Sequence, residues 1–330
     1  MPDPKSWRLA RVAWLIASAT LCIIVLLCYG FRPDAAAALT IFPTWIWPLP
    51  GLFLLISALH RRAPQAHKRL IGAVGILWLL FILFFVEETH SLGREALASF
   101  SSRPAKPTLR VVTLNAAGGS SLAAAEVARF DSDLVLWQEA PNRKECERLA
   151  RKIFGAKAGV VVGLDTAIAA RGRVEAKTLP REMARFCSQA RVTLASGRAI
   201  EVFSLHLMTP PFRADLWNLE CWKVQREQRE TQRAQLQAVA KRIAELPFDT
   251  PIILGGDFNA PQNDAIFRSL QPRLRDSFRG AGLGWGDTIT NETPFLRIDQ
   301  IWISRHFAAS AVRAHRTINS DHRLVVCDLD

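Results

Sequence analysis

Residues 252–259 read Ile-Ile-Leu-Gly-Gly-Asp-Phe-Asn: a short apolar run, two glycines, then Asp257 and Asn259. A run bounded in this way reads as a buried strand whose last residues emerge at a sheet edge. The same pattern occurs three times upstream. Val111-Val112-Thr113-Leu114 leads to Asn115, Leu134-Val135-Leu136-Trp137-Gln138 to Glu139, and Val202-Phe203-Ser204-Leu205 to His206. Downstream stand Arg297-Ile298-Asp299 and Ser320-Asp321-His322. Strand ends gather residues distant in sequence onto one rigid rim, which suits a catalytic site. The glycine pair is expected to permit a tight turn and close approach of a substrate. Taken singly, each piece has a plainer reading. Asp257 with Asn259 is also an Asx turn, Glu139 a solvated carboxylate, His206 a satisfied core histidine, and Asp321-His322 a surface turn.

Working outward, strands are expected over residues 109–114, 134–137, 160–162, 166–170, 191–194, 200–205, 252–254, 298–303 and 324–328. Helices fit 122–130, 142–154 and 216–246, the last with a solvated face rich in Arg, Glu and Gln. Many strands among few helices imply an α+β domain of two sheets packed face to face with helices outside.

The ordered set resembles the endonuclease/exonuclease/phosphatase superfamily, the DNase I-like fold, over residues 108–329. Gly-Asp-Phe-Asn and Ser-Asp-His, in that order, carry the likeness. The resemblance implies a four-layer α/β/β/α sandwich and a phosphoester hydrolase dependent on Mg²⁺ or Mn²⁺. It implies Glu139 as principal metal ligand, with Asn115 beside it and Asp321 facing the metal region. Asp257 would orient or activate the attacking water, and Asn259 would help to hold the phosphate. His322 would pair with Asp299, which fixes the tautomer and favours the imidazolium. His206 would hydrogen-bond a phosphate oxygen or act as general acid. Its usual acidic partner is not identifiable in the sequence; Glu175 and Glu182 are the candidates. Gln138 reads as structural support. The family's abasic-site endonucleases use an active-site tyrosine, whereas the single tyrosine of this chain is Tyr29, far upstream in an apolar run.

The first hundred residues are of another kind. Residues 12–31, 35–60 and 70–86 carry no charge, and about 17–25 apolar residues cross a bilayer as a helix. A three-helix transmembrane anchor is therefore expected over residues 1–90, with spans near 12–31, 40–60 and 70–86, then a linker over 91–107 and the catalytic domain over 108–330. Pro43, Pro48 and Pro50 are expected to break the second span or delay its start. A cleaved signal peptide ending near Ala35 to Ala38 is the weaker alternative. Lys5, Arg8 and Arg11 precede the first span, and Arg61, Arg62, Lys68 and Arg69 fill the second loop. The positive-inside rule then puts the N-terminus in the cytoplasm and the catalytic domain outside it. The spans resemble a bacterial branch of the superfamily anchored in the cytoplasmic membrane, which includes glycopeptide-resistance proteins.

The net charge of +12 divides into +5 over residues 1–103 (10 basic, 5 acidic) and +7 over 104–330 (32 basic, 25 acidic). That surplus suits a polyanionic substrate, an anionic membrane face or nucleic acid alike. Arg213, Arg226, Arg229 and Arg233 are candidate phosphate contacts or a solvated helix face. No basic insertion interleaved with aromatics suggests a duplex clamp. Six cysteines without a CxxC spacing give no zinc signature, and a Cys187–Cys221 disulfide stays open. The bilayer and a phosphoester substrate are the expected partners, a lipid phosphate favoured over nucleic acid because the domain is tethered at the membrane. A non-catalytic binding module would be expected to have lost site residues. A transporter would be expected to carry charge within its spans.

Overall fold

The computed structural model describes residues 4–60, 63–100, 107–211, 213–271 and 273–330, with side chains from Leu9 onward. The basic residues Arg61 and Arg62, the side chains of Lys5 and Arg8, and the linker positions 101–106 lie outside the described residues.

The N-terminal part begins with α1 (Pro4–Phe31), followed by the short α2 (Ala37–Thr40), α3 (Pro48–Ser57) and α4 (Gln65–Phe85). Two segments are long and apolar enough to cross a membrane, Leu9–Phe31 with 23 residues and Gln65–Phe85 with 21. At 1.5 Å per residue these span about 35 and 32 Å. The span expected over 40–60 is not a continuous helix. Asp34–Thr40 and Thr44–Ser57 meet at 68°, so the pair makes a third span only if the bent unit counts as one. Pro43 sits at the break, while Pro48 opens α3, where a missing N–H costs nothing. The helices close on Trp78, whose indole N–H donates to Ser18 Oγ (3.1 Å) and whose ring leaves no room for a side chain at Gly51.

A further correction concerns the expected linker. Its first part belongs to a helix, α5 (Glu87–Ala98). Tertiary contacts hold it there: Glu87 pairs with Arg297 (2.9 Å), Arg94 Nε donates to the Gly282 carbonyl (2.8 Å), and Glu95 pairs with Arg313.

The catalytic half contains β1 (Leu109–Asn115), α6 (Ser121–Ala125), β2 (Leu134–Gln138), α7 (Arg143–Phe154), β3 (Ala158–Val162), β4 (Thr166–Ala176), β5 (Cys187–Leu194) and β6 (Ala199–His206). After these come α8 (Leu219–Ala244), β7 (Ile252–Asp257), β8 (Leu274–Asp276), α9 (Ser277–Ala281), β9 (Asp299–Ser304), β10 (Ala309–His315) and β11 (Leu324–Leu329). The strands run β10-β11-β1-β2-β4-β5-β6-β7-β9-β8, with β3 also on β4. The sheet folds over on itself at β4, which pairs with β2 through Thr166 to Ala170 and with β5 through Gly172 to Ala176. A side chain at Gly172 would meet the Thr193 carbonyl at 2.2 Å, so the hand-over needs glycine.

Strand alternation makes the layers. Val111, Leu134 and Leu136 face Val202, Ile253 and Ile301 in the central core. Val112, Val135 and Trp137 point outward under Leu149 and Phe154 of α7. Phe203, Leu205 and Leu254 point outward under Leu236 and Ile243 of α8. The result is the α/β/β/α sandwich. β1 with β2, and β6 with β7, are parallel pairs, so four strands end at one edge.

The N-terminal helices are clamped to that half. Arg233 pairs with Asp34, Arg229 with Asp264 (2.9 Å) and the Pro33 carbonyl (3.3 Å), and Arg268 donates to the Phe31 carbonyl (3.0 Å). Glu88 of α5 and Asp287 are buried, each with an unpartnered oxygen. Burial raises Asp287 to about 7, and burial together with Asp287 raises Glu88 to about 8. A carboxyl raised in the folded state contributes stability at low pH and loses it as pH rises through its folded value. The Tm of the full chain in detergent is therefore expected to fall by roughly 5 °C from pH 5 to pH 8.5. Asp287→Asn should flatten that slope; a wild-type Tm independent of pH counts against the account.

Candidate active site

Asn115, Glu139, His206 and Asp257 stand at or just past the ends of β1, β2, β6 and β7, with Asp299 opening β9 and His322 just before β11. The edge brings them together. Asn115 Nδ2 donates both to Glu139 Oε1 (3.0 Å) and to Asp257 Oδ2 (3.1 Å). Glu139 adopts a left-handed backbone (φ 44°), which costs about 1–2 kcal/mol for a residue with a Cβ. The Gly118 N–H donates to its other oxygen and helps to offset that cost.

The two glycines before Asp257 act differently from the expected tight turn. Both lie within β7. A Cβ at Gly256 would meet the Leu205 carbonyl oxygen at 1.9 Å, and one at Gly255 would meet Leu136 Cδ1 at 2.7 Å. They let β6 and the facing sheet close in, which fixes where Asp257 emerges. The Asx turn is present as well, since Asp257 Oδ1 accepts from the Asn259 N–H (2.8 Å). Gln138 ties the sheets together, accepting from Thr113 and donating to Ser204, both at 3.1 Å.

Two imidazoles aim at the Asp257 carboxylate. His322 Nδ1 is 2.9 Å from Asp299 Oδ2, and its Nε2 lies 3.9 Å from Asp257 Oδ2. His206 Nδ1 is 2.6 Å from Asp165 Oδ2, and its Nε2 lies 3.7 Å from the same Asp257 oxygen. Both gaps are too long for a direct hydrogen bond and leave room for a bridging oxygen. His206 Nε2 is buried without a partner. Burial pulls the His322 imidazole down, but Asp299, with Asp257 and Asp321, outweighs it and lifts the group to about 10. Burial likewise opposes charge on His206, and Asp165, Asp257 and Glu139 overcome it. Burial and then Asp299 push Asp257 up to about 6, against the pull of the two histidines.

The donor set fits a hard divalent cation. Two carboxylate oxygens, from Glu139 and Asp257, converge on one Asn115 amide, and Asp299 Oδ1 is buried without a partner. Asp257, Asp299 and His322 also bring ligand atoms within 4.8 Å of one another. Glu139 and Asn115 form one corner of the site, and His322 and Asp299 the other.

A family model described as "Endonuclease/Exonuclease/phosphatase family" matches residues 112–322. The chain belongs to the endonuclease/exonuclease/phosphatase family. Solved structures share its fold. An endonuclease/exonuclease/phosphatase from Bacteroides vulgatus has a TM-score of 0.52 at 13% identity, covering 67% of this chain and 98% of its own. A mannosyl-6-phosphatase from Bacteroides thetaiotaomicron has 0.51 at 18%, covering 68% and 100%. A further family protein from Bacteroides thetaiotaomicron has 0.52 at 17%, covering 68% and 98%. No curated protein matches the chain significantly in sequence.

Of the residues singled out in the sequence, six meet around the Asn115 amide and the two imidazoles. Asn259 lies beside them, its amide donating to the Leu207 carbonyl (3.0 Å) and Thr209 Oγ1 (3.2 Å). The Asp321 side chain is exposed on the rim, and its carboxylate makes no hydrogen bond among the described residues. Asp165 is the residue missed: Glu175 and Glu182 pair instead with Arg173 and Arg185. Arg213, Arg226, Arg229 and Arg233 have acidic partners in Asp215, Glu230, Asp264 and Asp34. All six cysteines are free.

Proposed function

We propose that the chain is a membrane-anchored, divalent-metal-dependent phosphoester hydrolase. The observation that carries this reading is the pair of carboxylate-backed imidazoles whose Nε2 atoms flank one buried carboxylate at 3.7 and 3.9 Å. Asp257, raised to about 6, is poised to accept a proton from a water near neutral pH. His206 and His322, backed by the carboxylates of Asp165 and Asp299, which favour their charged forms, present N–H donors to the oxygens of a phosphoryl group as negative charge grows on it. Asn259 fixes the turn after β7 and so the aim of Asp257. Glu139 and Asn115 would hold Mg²⁺ or Mn²⁺, with Asp321 on the rim beside them. When bound, the ion would polarise a phosphoryl oxygen and offset developing charge.

A lipid (pyro)phosphate is the favoured substrate, with α1, α4 and the bent α2–α3 pair as a three-span anchor and the catalytic half outside the cytoplasm. The clamping of the anchor beside the site supports it. A nuclease is the second reading, favoured by the basic surplus. The candidate phosphate-binding arginines are already engaged with acidic partners, which weighs against it.

The test uses full-length protein in detergent with polyprenyl pyrophosphate, following phosphate release. Turnover is expected with Mg²⁺ or Mn²⁺, none after chelation, and none for Asp257→Ala. Cleavage of DNA or RNA without lipid turnover would move the assignment to a nuclease; turnover untouched by chelation would remove the metal. Asp165→Asn keeps the size of the side chain but removes a charge that raises the His206 imidazole. It should lower kcat roughly 10- to 100-fold and draw the alkaline limb of the pH–rate profile downward. An unshifted limb would make Asp165 merely structural.

A further inference from the structure

Outside residues 1–100, seven large apolar side chains are exposed among the described residues, and six of them lie in segments next to site residues or at the start of α8. Leu122 opens α6, just after the turn that donates to Glu139, and Leu164 precedes Asp165. Met208 lies two residues past His206, and Trp217 and Leu219 flank the Asn218 cap of α8. Ile318 sits in the loop that leads to His322. Exposure reaches 88% at Trp217, 86% at Leu219, 80% at Ile318 and 78% at Leu164. The seventh, Phe248, lies before β7 and is stacked by the guanidinium groups of Arg273 (5.3 Å) and Arg305 (4.3 Å). Soluble surfaces scatter such side chains singly; a group of them beside one site marks something that covers it.

The anchor reaches the site as well. A narrow crevice beside Asn259 is walled by Ala37 and Ile41 on one side and by Gln225, Arg229 and Gln232 of α8 on the other. Trp222 of α8 packs into the apolar core of the anchor helices. Arg268 holds the last turn of α1 through the Phe31 carbonyl, and Glu87, just past α4, is held by Arg297. Both long apolar helices therefore end against loops of the catalytic edge.

We propose that these six side chains form an apolar collar that seats the catalytic mouth on the bilayer crossed by α1 and α4. The cleft then opens onto lipid headgroups. The proposal rests on reading α1 and α4 as membrane spans, and not on turnover. Tryptophan and leucine at the headgroup boundary, under a domain with a basic surplus, match the chemistry of an interfacially seated surface.

The test uses the full chain with Cys28→Ser, since the other native cysteines are buried. Single cysteines replace Leu164, Trp217 or Ile318 in the collar, Phe248 outside it, and Phe84 on the exposed face of α4. Each variant is labelled with a polarity-sensitive fluorophore and reconstituted in phosphatidylcholine–phosphatidylglycerol vesicles. Headgroup-nitroxide lipids are expected to quench the three collar probes several-fold more than the probe at 248, with aqueous iodide showing the reverse order. Collar probes that behave like 248, while 84 is quenched by deep nitroxides, would overturn the collar and leave the spans standing. An unquenched probe at 84 would overturn both. Fluorescence does not pass through catalysis, so a chain that hydrolyses nothing still gives the answer.

Discussion

Asp257→Ala is expected to lower kcat by about 10³-fold while leaving Tm unchanged or higher. The two halves of this result have one cause. Asp257 is 1% exposed, and burial with the nearby Asp299 holds its carboxyl at about 6. A carboxyl raised in the folded state contributes stability below its unfolded value and loses it as pH rises through about 6. At pH 7.5 the fold therefore carries an ionised, poorly solvated carboxylate, and alanine relieves that cost. Two donors are released, the Asn259 N–H and one N–H of the Asn115 amide, whose other N–H keeps Glu139 as acceptor. Catalysis loses the acceptor for the water's proton, and both imidazoles lose a charge that raises them. Asp257→Asn is the less conservative change. With its oxygen on the Asn259 N–H, its amide would face the Asn115 amide and two imidazolium N–H groups. Circular dichroism and thermal melting beside kinetics decide the matter. A fall in Tm that parallels the fall in rate would make Asp257 a structural residue.

How far the site was readable before the fold follows from the same chemistry. Strand-terminal residues are legible because a buried strand reaching the edge of its sheet is what sets Asn, Glu, His or Asp directly after an apolar run. Asn115, Glu139, His206 and Asp257 all end such runs. Asp165 carried no such mark. It lies between β3 and β4 in a turn of ordinary composition, and only the pairing of β4 with β2 swings it toward His206. β10 escaped notice because Ala-Ser-Ala-Val-Arg-Ala-His has almost no apolar alternation, and β8 because three residues carry no period. The helix α5 was hidden by its serine and glycine, which favour a linker; contacts with Arg297, Gly282 and Arg313 override that preference. The glycines of β7 were legible as necessary but not for their reason, since the close neighbour is another strand and not a substrate.

Arg297→Met is expected to lower the stability of the full chain by about 3–5 kcal/mol, the larger effect on stability among these changes. Arg297 is 2% exposed and sits between Glu87 of α5 and Asp276 of the catalytic half, with its guanidinium 4.8 Å from the Phe278 ring. Removing it strands two buried carboxylates, of which Glu87 is already raised by burial. A buried ion network contributes little net stability as a whole, yet breaking it from one side is costly. The combined variant Arg297→Met, Glu87→Leu, Asp276→Leu should therefore recover much of the lost Tm. The same change reaches the chemistry. Arg297 precedes Asp299 by two residues, and Gln300 donates to the Arg297 carbonyl, so loosening this joint loosens the carboxylate that aims His322. Glu87→Gln is the milder probe, keeping Arg297 on Asp276 while weakening the grip of the catalytic half on α5. If Glu87→Gln slows turnover while Tm barely moves, α5 is a working part of the site. If both stay at wild-type values, the joint holds neither α5 nor Asp299.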